Sequence, residues 1–507
     1  MANSAPICQG LLGEQLGYLA DTEIAQSILD GRFECGPEID DATALLLEEI
    51  GRLGSMLTNG EVIIEITPEE FQEYWRRAKE ATSSSYSGIH FGHYKAAGKS
   101  DFLSKFFAKK ISLIARCGCP PTRCGVGLTV MLKKVAGIAL VNKLRAILLM
   151  EADFNMHNRI IFGSRAINAA RERGEIPPEI FSTEGCTAED GSWEKTLVTD
   201  VSRQSRTPCT ITSNDAASCY DRIAHAVISL ILQAWGVNKS AVAAMLIPIQ
   251  IMMFFLRTGF GESTRYMGGN TESKTQGMCQ GNTALPAAWE ALCATMLKCH
   301  KRRGHGSRLV CPMSLEAIDL MGIWYVDDCD LITMAPYCPG EAVWEEAQSS
   351  LDSWASLLHA TGGALKGEKC FWYPIDYVWK DDGSWSYATD IEVDMSIPLF
   401  NGDREVITKL GVNECRKTLG VHACPSGKSI GHIRTIEDRA RRWTSKLLDS
   451  KLPAKWAWVS YKLQLWSSLR YGLGTLSAPL SQLRSALPRF AFAILPRLGV
   501  NRHIRKG

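Results

Sequence analysis

Two apolar runs, residues 320–324 and 331–334, bracket a polar tip in the stretch GIWYVDDCDLITM. Apolar runs around so short a tip predict a β-hairpin with the adjacent acids Asp327 and Asp328 at its turn. Strand-like stretches recur at 61–66, at 143–149 and at 208–212, the last leading into Asp215. In the second of these, Lys143, Arg145 and Ile147 share one face. Elsewhere the period is helical. Residues 1–60 read as two or three amphipathic helices with acidic faces, for instance 41–53. Thr67 and Glu70 make a capping box with Pro68 at the first helical position, which predicts a helix to about residue 81. Further helices are predicted over 152–170, 194–205 and 342–360, and from near Pro286. Ile223, Val227, Ile231 and Trp235 mark the apolar face of another. Residues 241–256 predict a buried helix pair, 185–191 a polar break, and 259–278 a loop with a hairpin.

Length allows roughly three domain-sized units in these 507 residues. With 46% hydrophobic and 22% charged residues, the composition is that of a soluble globular protein. Charge changes the picture. The net value is only +2, yet residues 1–100 hold 7 Lys+Arg against 16 Asp+Glu, and residues 401–507 hold 20 against 6. A basic segment on a near-neutral chain suits a polyanion, most economically nucleic acid, or else a set of solvated helix faces. Seventeen cysteines, an odd count scattered through apolar stretches, fit reduced thiols in an intracellular protein, nuclear or cytoplasmic and not secreted. No basic stretch followed by an apolar core opens the chain, so no signal peptide is expected. Residues 241–256 fall short of the ~20 that span a bilayer and are broken by Pro248 and Gln250, so no membrane is expected.

Candidate chemistry starts from the hairpin. Side-by-side carboxylates repel, so ionised Asp327 and Asp328 call for a counter-charge, and Mg²⁺ or Mn²⁺ suits their oxygens. Asp215, at a strand end before a helix, is placed to bind metal too, or to cap a turn. Lys143 and Arg145 could hold a triphosphate. Residues 83–97, with His90, His93 and Lys95, could contact phosphate or form a plain loop-to-helix junction. The loop around Gln280 and Gly281 presents backbone N–H groups to a flat ligand or phosphate. A turn with Lys366 and Lys369 leads into an aromatic strand. From residue 430 on, Arg434, Arg439, Arg441, Arg442 and Lys446 stand alongside Trp443, Trp456 and Trp458, a mixture suited to backbone tracking with stacking, or to a helical core. Zinc is weakly signalled: Cys117, Cys119 and Cys124 lack a fourth ligand, and His90 and His93 lack a partner in register.

Taken together, these stretches resemble the palm of a reverse transcriptase, and more closely the reverse transcriptase domains of eukaryotic retroelements. Asp215 with Tyr220 comes first, Gln280-Gly281 follows 65 residues after Asp215, and Asp327 of Tyr-x-Asp-Asp comes 112 residues after it. GGALKGEK with Lys369 and the Leu419-Gly420-Val421 segment follow in order. SGIHFGHYKAA, KLRAI, NDAASCYDRI and QGMCQGNTALPAAW are similar as well, and the likeness covers roughly residues 60–430. The resemblance implies an α+β right-hand polymerase: a palm of antiparallel sheet and helices, helical fingers and a helical thumb. Its expected boundaries are an N-terminal helical extension (1–60), fingers (61–206), palm with the first acidic motif (207–236), a fingers–palm connection (237–274), palm (275–425) and a basic thumb (426–507).

The implied activity is RNA-directed DNA synthesis on an RNA template and a DNA or RNA primer, with deoxynucleoside triphosphates and two Mg²⁺ or Mn²⁺ ions. Asp215, Asp327 and Asp328 would hold the metals, and Lys369 would give a proton to the leaving pyrophosphate. Lys143, Arg145, Tyr220, Gln280 and Gly281 would bind the nucleotide, with Tyr220 under its sugar. Arg434, Arg441, Arg442 and Lys446 would bind nucleic acid. Asp221 and Asp330 are extra acids without a required role, and residues 179–183 match less well. No endonuclease, RNase H or Cys/His knuckle is recognisable. Two rivals remain: an RNA-dependent RNA polymerase sharing the palm, and a non-catalytic nucleic-acid-binding remnant of a retroelement.

Overall fold

In the computed structural model, the described residues are 4–500 except 57–61, 84, 135–136, 139, 141–142, 271–273, 312, 400–401 and 487. They form a mixed helix and sheet protein, in keeping with the α+β expectation. Two compact units arise: residues 1–178, 216–304 and 352–365 make one, and 179–215, 305–351 and 366–507 the other. Residues 179–206 thus share a unit with Asp215. No described helix is long and apolar enough to cross a membrane.

The second unit is built on a five-stranded sheet in the order Thr408–Lys409, Phe371–Ile375, Cys209–Asp215, Asp328–Met334, Gly322–Tyr325. All neighbours are antiparallel except the first pair. Strand residues alternate between faces, so the register decides what shares a face. Met334 pairs with Cys209, Ile332 with Ile211, Asp330 with Ser213 and Asp328 with Asp215. This face therefore runs from apolar at one end to acidic at the other. Its apolar end joins Val198, Ile323, Tyr373, Ile375 and Leu419 in one core. Helix Ala188–Ser205 packs over it, with Lys195, Val198 and Ser202 on its buried stripe.

That helix corrects the expectation of a break to residue 191 and a start at 194. Thr187 and Asp190 form a capping box, so the helix begins at Ala188 and carries Gly191 inside it. A Cβ on Gly191 would lie 3.2 Å from both Ile323 and Leu419, so the glycine permits close packing there and is not a break.

The first unit holds helices Asp41–Ser55, His225–Ala234 and Leu285–Arg302 packed on one another, and a sheet of Leu144–Leu149, Val126–Lys133, Met253–Thr258 and short hairpin strands. The capping box at Thr67 and Glu70 forms as expected, but its helix ends at Arg77. Two other expectations fail. Residues 62–66 are extended without joining a sheet, because Arg165 takes the carbonyls of Ile63 and Glu65 and Ser112 Oγ accepts from Ile66 N–H; Glu61 lies outside the described residues. Residues 241–256 are one helix, Lys239–Gln250, followed by strand Met253–Thr258, where the aromatic run Phe254–Phe255 pairs parallel with Gly127 and Leu128.

Candidate functional site

The hairpin forms, but its two turn residues are Val326 and Asp327, so of the two acids expected at the turn only Asp327 is there, and Asp328 pairs with Tyr325 in the strand. Asp328 opens the second strand and lies directly across from Asp215, so their Cβ atoms are about 4.5–5.5 Å apart. Val326 has φ 57°, a conformation that costs a β-branched residue on the order of 1–3 kcal/mol. Strain of that kind is held only where the surroundings fix the turn, and here the strand pairing on both sides does so.

Lys369 reaches the same place from the turn Gly367–Lys369. Main-chain bonding anchors that turn, because Lys366 N–H donates to Asp215 O at 2.9 Å. Lys369 Nζ then donates to both Asp215 oxygens, at 2.8 and 2.7 Å. Partial burial opposes the charge on Lys369, but its bonds to Asp215 and the charges of Asp215, Asp327 and Asp328 outweigh it and raise its pKa. Asp328 is the strained member of the set. Desolvation of its carboxyl, then repulsion from Asp327, Asp330 and Asp215, pushes it up to about 6, against help from Lys195. A folded value above the ordinary 3.8 means the native state keeps this proton longer than the unfolded chain does. Asp328 therefore costs stability as pH rises through that window. We expect its carboxyl carbon to titrate near pH 6 by NMR in metal-free protein; a midpoint near 4 would contradict this.

Asp330, which sequence left without a role, has one here. Its side chain is buried and accepts from Lys195 Nζ at 2.8 Å, with side-chain exposures of 6% and 10%. Its other oxygen, Oδ1, has no hydrogen-bond partner among the described residues. Lys195 lies inside even the expected helix of 194–205, but its partner Asp330 is 135 residues away and nothing local points to the pairing. Started at 188, Gly191, Lys195, Val198 and Ser202 fall at helical spacing on one stripe, and a lysine there calls for an acid.

The nucleotide-binding candidates fall in the first unit, where Tyr220, Gln280 and Gly281 meet around one loop and Lys143 and Arg145 lie farther along the strand that the loop touches at Leu148. Met278 N–H donates to Tyr220 O at 2.8 Å and Leu148 N–H to Gln280 O at 2.6 Å, so the loop is tied to the Tyr220 turn and to strand Leu144–Leu149. Gly281 has φ 130°, and a Cβ there would sit 1.9 Å from Leu148 O, so only glycine fits. Arg145 is exposed on this edge strand, and Lys143, also exposed, immediately precedes it. Asp221 lies in the turn with Tyr220; burial raises its pKa while Lys134 works against the rise.

Arg434, Arg441, Arg442 and Lys446 are all exposed on helix Ile430–Asp449. His90 and His93 are used in capping helix Phe91–Ala97, so that segment is a loop-to-helix junction. Among the described residues, no group of three or more His, Cys, Asp or Glu is placed so that it could hold a metal ion as it stands. At the acidic hairpin, both oxygens of Asp215 are already taken by the Lys369 ammonium. The donors themselves, three carboxylates, are of the hard kind that Mg²⁺ or Mn²⁺ requires. The chain matches no protein-family model and no curated protein sequence.

Proposed function

We propose that this protein is an RNA-directed DNA polymerase of retroelement type. The single observation that carries the reading is the ladder register setting Asp328 opposite Asp215, with Asp327 on the adjoining turn. The sheet with these acids would be the palm, helix Ile430–Asp449 and the helices after it the thumb, and the sheet bearing Arg145 part of the fingers.

Asp215 and Asp327 would hold two divalent cations, with Asp328 in support. When bound, the cations supply charge neutralisation at the attacking 3′-oxygen and the leaving pyrophosphate. Little covalent work then falls to the protein, and positioning dominates. Arg145 and Lys143 hold the triphosphate, Gln280 and Gly281 line the nucleotide, and Tyr220 crowds a 2′-hydroxyl. Lys369, which reaches the acids at Asp215, would stand as the proton donor to pyrophosphate.

The test is extension of a labelled primer on an RNA template with Mg²⁺ or Mn²⁺. Deoxynucleotides are expected to be used in preference to ribonucleotides, and Tyr220→Ala to raise ribonucleotide use by on the order of tenfold. Preference for ribonucleotides in the wild type would point instead to an RNA polymerase. One observation favours a second reading, the non-catalytic remnant: Lys369 seated on both Asp215 oxygens closes the acid to other cations. Binding of primer–template with no extension under either metal would select it.

A further inference from the structure

The helical run Ala454–Ser460, Tyr461–Trp466 and Ser467–Arg470 leaves three tryptophans in water. Trp456, Trp458 and Trp466 are 55%, 41% and 45% exposed, and Leu463 beside them 71%. Tryptophan carries more apolar area than any other side chain, and Trp458 and Trp466, eight residues apart with Lys462 midway, share one face of the run, whereas Trp456, two residues before Trp458, falls on the opposite one. Lysines flank two of them. Lys462 Nζ lies 5.1 Å from the Trp458 ring centre, and Lys455 Nζ 5.9 Å from that of Trp456. Trp458 also stacks on Tyr461 at 5.2 Å with 25° between planes, which widens the platform.

Charge identifies the partner. After Asp449 the sequence contains ten Lys and Arg and not one Asp or Glu. A solvated helix face mixes both signs, and a protein-binding face is depleted in lysine as well as in acids. A partner that offers flat rings to tryptophan and regularly spaced negative charge to lysine is a nucleic acid whose bases are unpaired.

We propose that Trp458 and Trp466, with Lys455 and Lys462, form a stacking track for single-stranded RNA. The choice of RNA rests on the polymerase reading, in which RNA is the template; the track would then hold template that is not yet paired. Bases stack on the indoles, and phosphates meet the lysines.

The probe is a twelve-nucleotide oligo(U) labelled for anisotropy, titrated without metal or nucleotide so that catalysis has no part in the result. Trp466→Ala is expected to weaken binding about 5- to 100-fold, the worth of one stacked base, while leaving the salt dependence of affinity unchanged, and Trp456→Ala, on the opposite face, to leave affinity as it is. Lys455→Gln with Lys462→Gln is expected to lessen the slope of log affinity against log salt by about 0.7 per lost contact. Trp458→Phe, which keeps a ring on Tyr461, is expected to retain most of the affinity that Trp458→Ala loses, separating stacking from folding. Unchanged affinity in Trp458→Ala and Trp466→Ala overturns the proposal. So does equal weakening by Trp458→Phe and Trp458→Ala. Vesicle binding abolished by the tryptophan variants while oligo(U) affinity holds, using phosphatidylserine and phosphatidylcholine, overturns it in favour of a membrane surface. Loss of the polymerase reading leaves this experiment standing, since a remnant would bind through the same track.

Discussion

Asp327→Asn is expected to lower deoxynucleotide addition by on the order of 10³-fold, with template affinity changed less than about twofold. Asparagine keeps the size and hydrogen-bonding shape of the turn residue, so the Val326–Asp327 turn and its flanking pairs should survive. What would be lost, on the proposed two-cation reading, is one negative charge that offsets the mutual repulsion of the ions. A metal ion's stabilisation of a phosphoryl-transfer transition state amounts to several kcal/mol, and each 1.4 kcal/mol is tenfold in rate. Template binding, on the same reading, would rest on cations and rings elsewhere and so should not change. Because Asp327 helps raise Asp328, its neutralisation should also bring the Asp328 midpoint down. Normal extension by the variant would remove Asp327 from the site.

Lys195→Met is expected to destabilise the second unit by about 3–5 kcal/mol, the cost of leaving a buried charge without its partner. Asp330 cannot turn to water, being buried on the face that helix Ala188–Ser205 covers. Its neighbours along that face, Asp328 and Asp215, are also acids, so its charge would have nothing nearby to offset it. The double replacement Lys195→Met with Asp330→Leu should recover most of the stability, since apolar residues of similar volume replace a buried pair at little cost. Urea denaturation of the three proteins measures this. A single variant as stable as wild type would mean that the pair contributes nothing.

The parts of the fold legible in sequence were those fixed by local rules. The acidic hairpin announced itself because two apolar runs leave only a few residues to turn in, and the Thr67 box because a cap and a proline coincide. Asp215 was found as a strand end, but nothing local says that it faces Asp328. That depends on register across more than a hundred residues of intervening chain. Lys195 and Asp330 were hidden for the same reason: each looks misplaced until the other is seen. Residues 62–66 misled because alternation predicts an extended chain, whereas a ladder needs a neighbour, and here Arg165 and Ser112 take that neighbour's bonds. The glycine at 191 misled in the opposite direction. Its composition signals a break, but its use is close packing against Ile323 and Leu419.

Binding of Mn²⁺ to wild type and to Asp215→Asn, followed by electron paramagnetic resonance in the presence of primer–template and a non-hydrolysable deoxynucleotide, tests the convergence of these acids most directly. Two ions per chain in the wild type, magnetically coupled to each other and lost together in the variant, are the predicted result. Binding of the same two ions with the same affinity after Asp215 has lost its charge would show that the metals, and with them the chemistry, lie somewhere else.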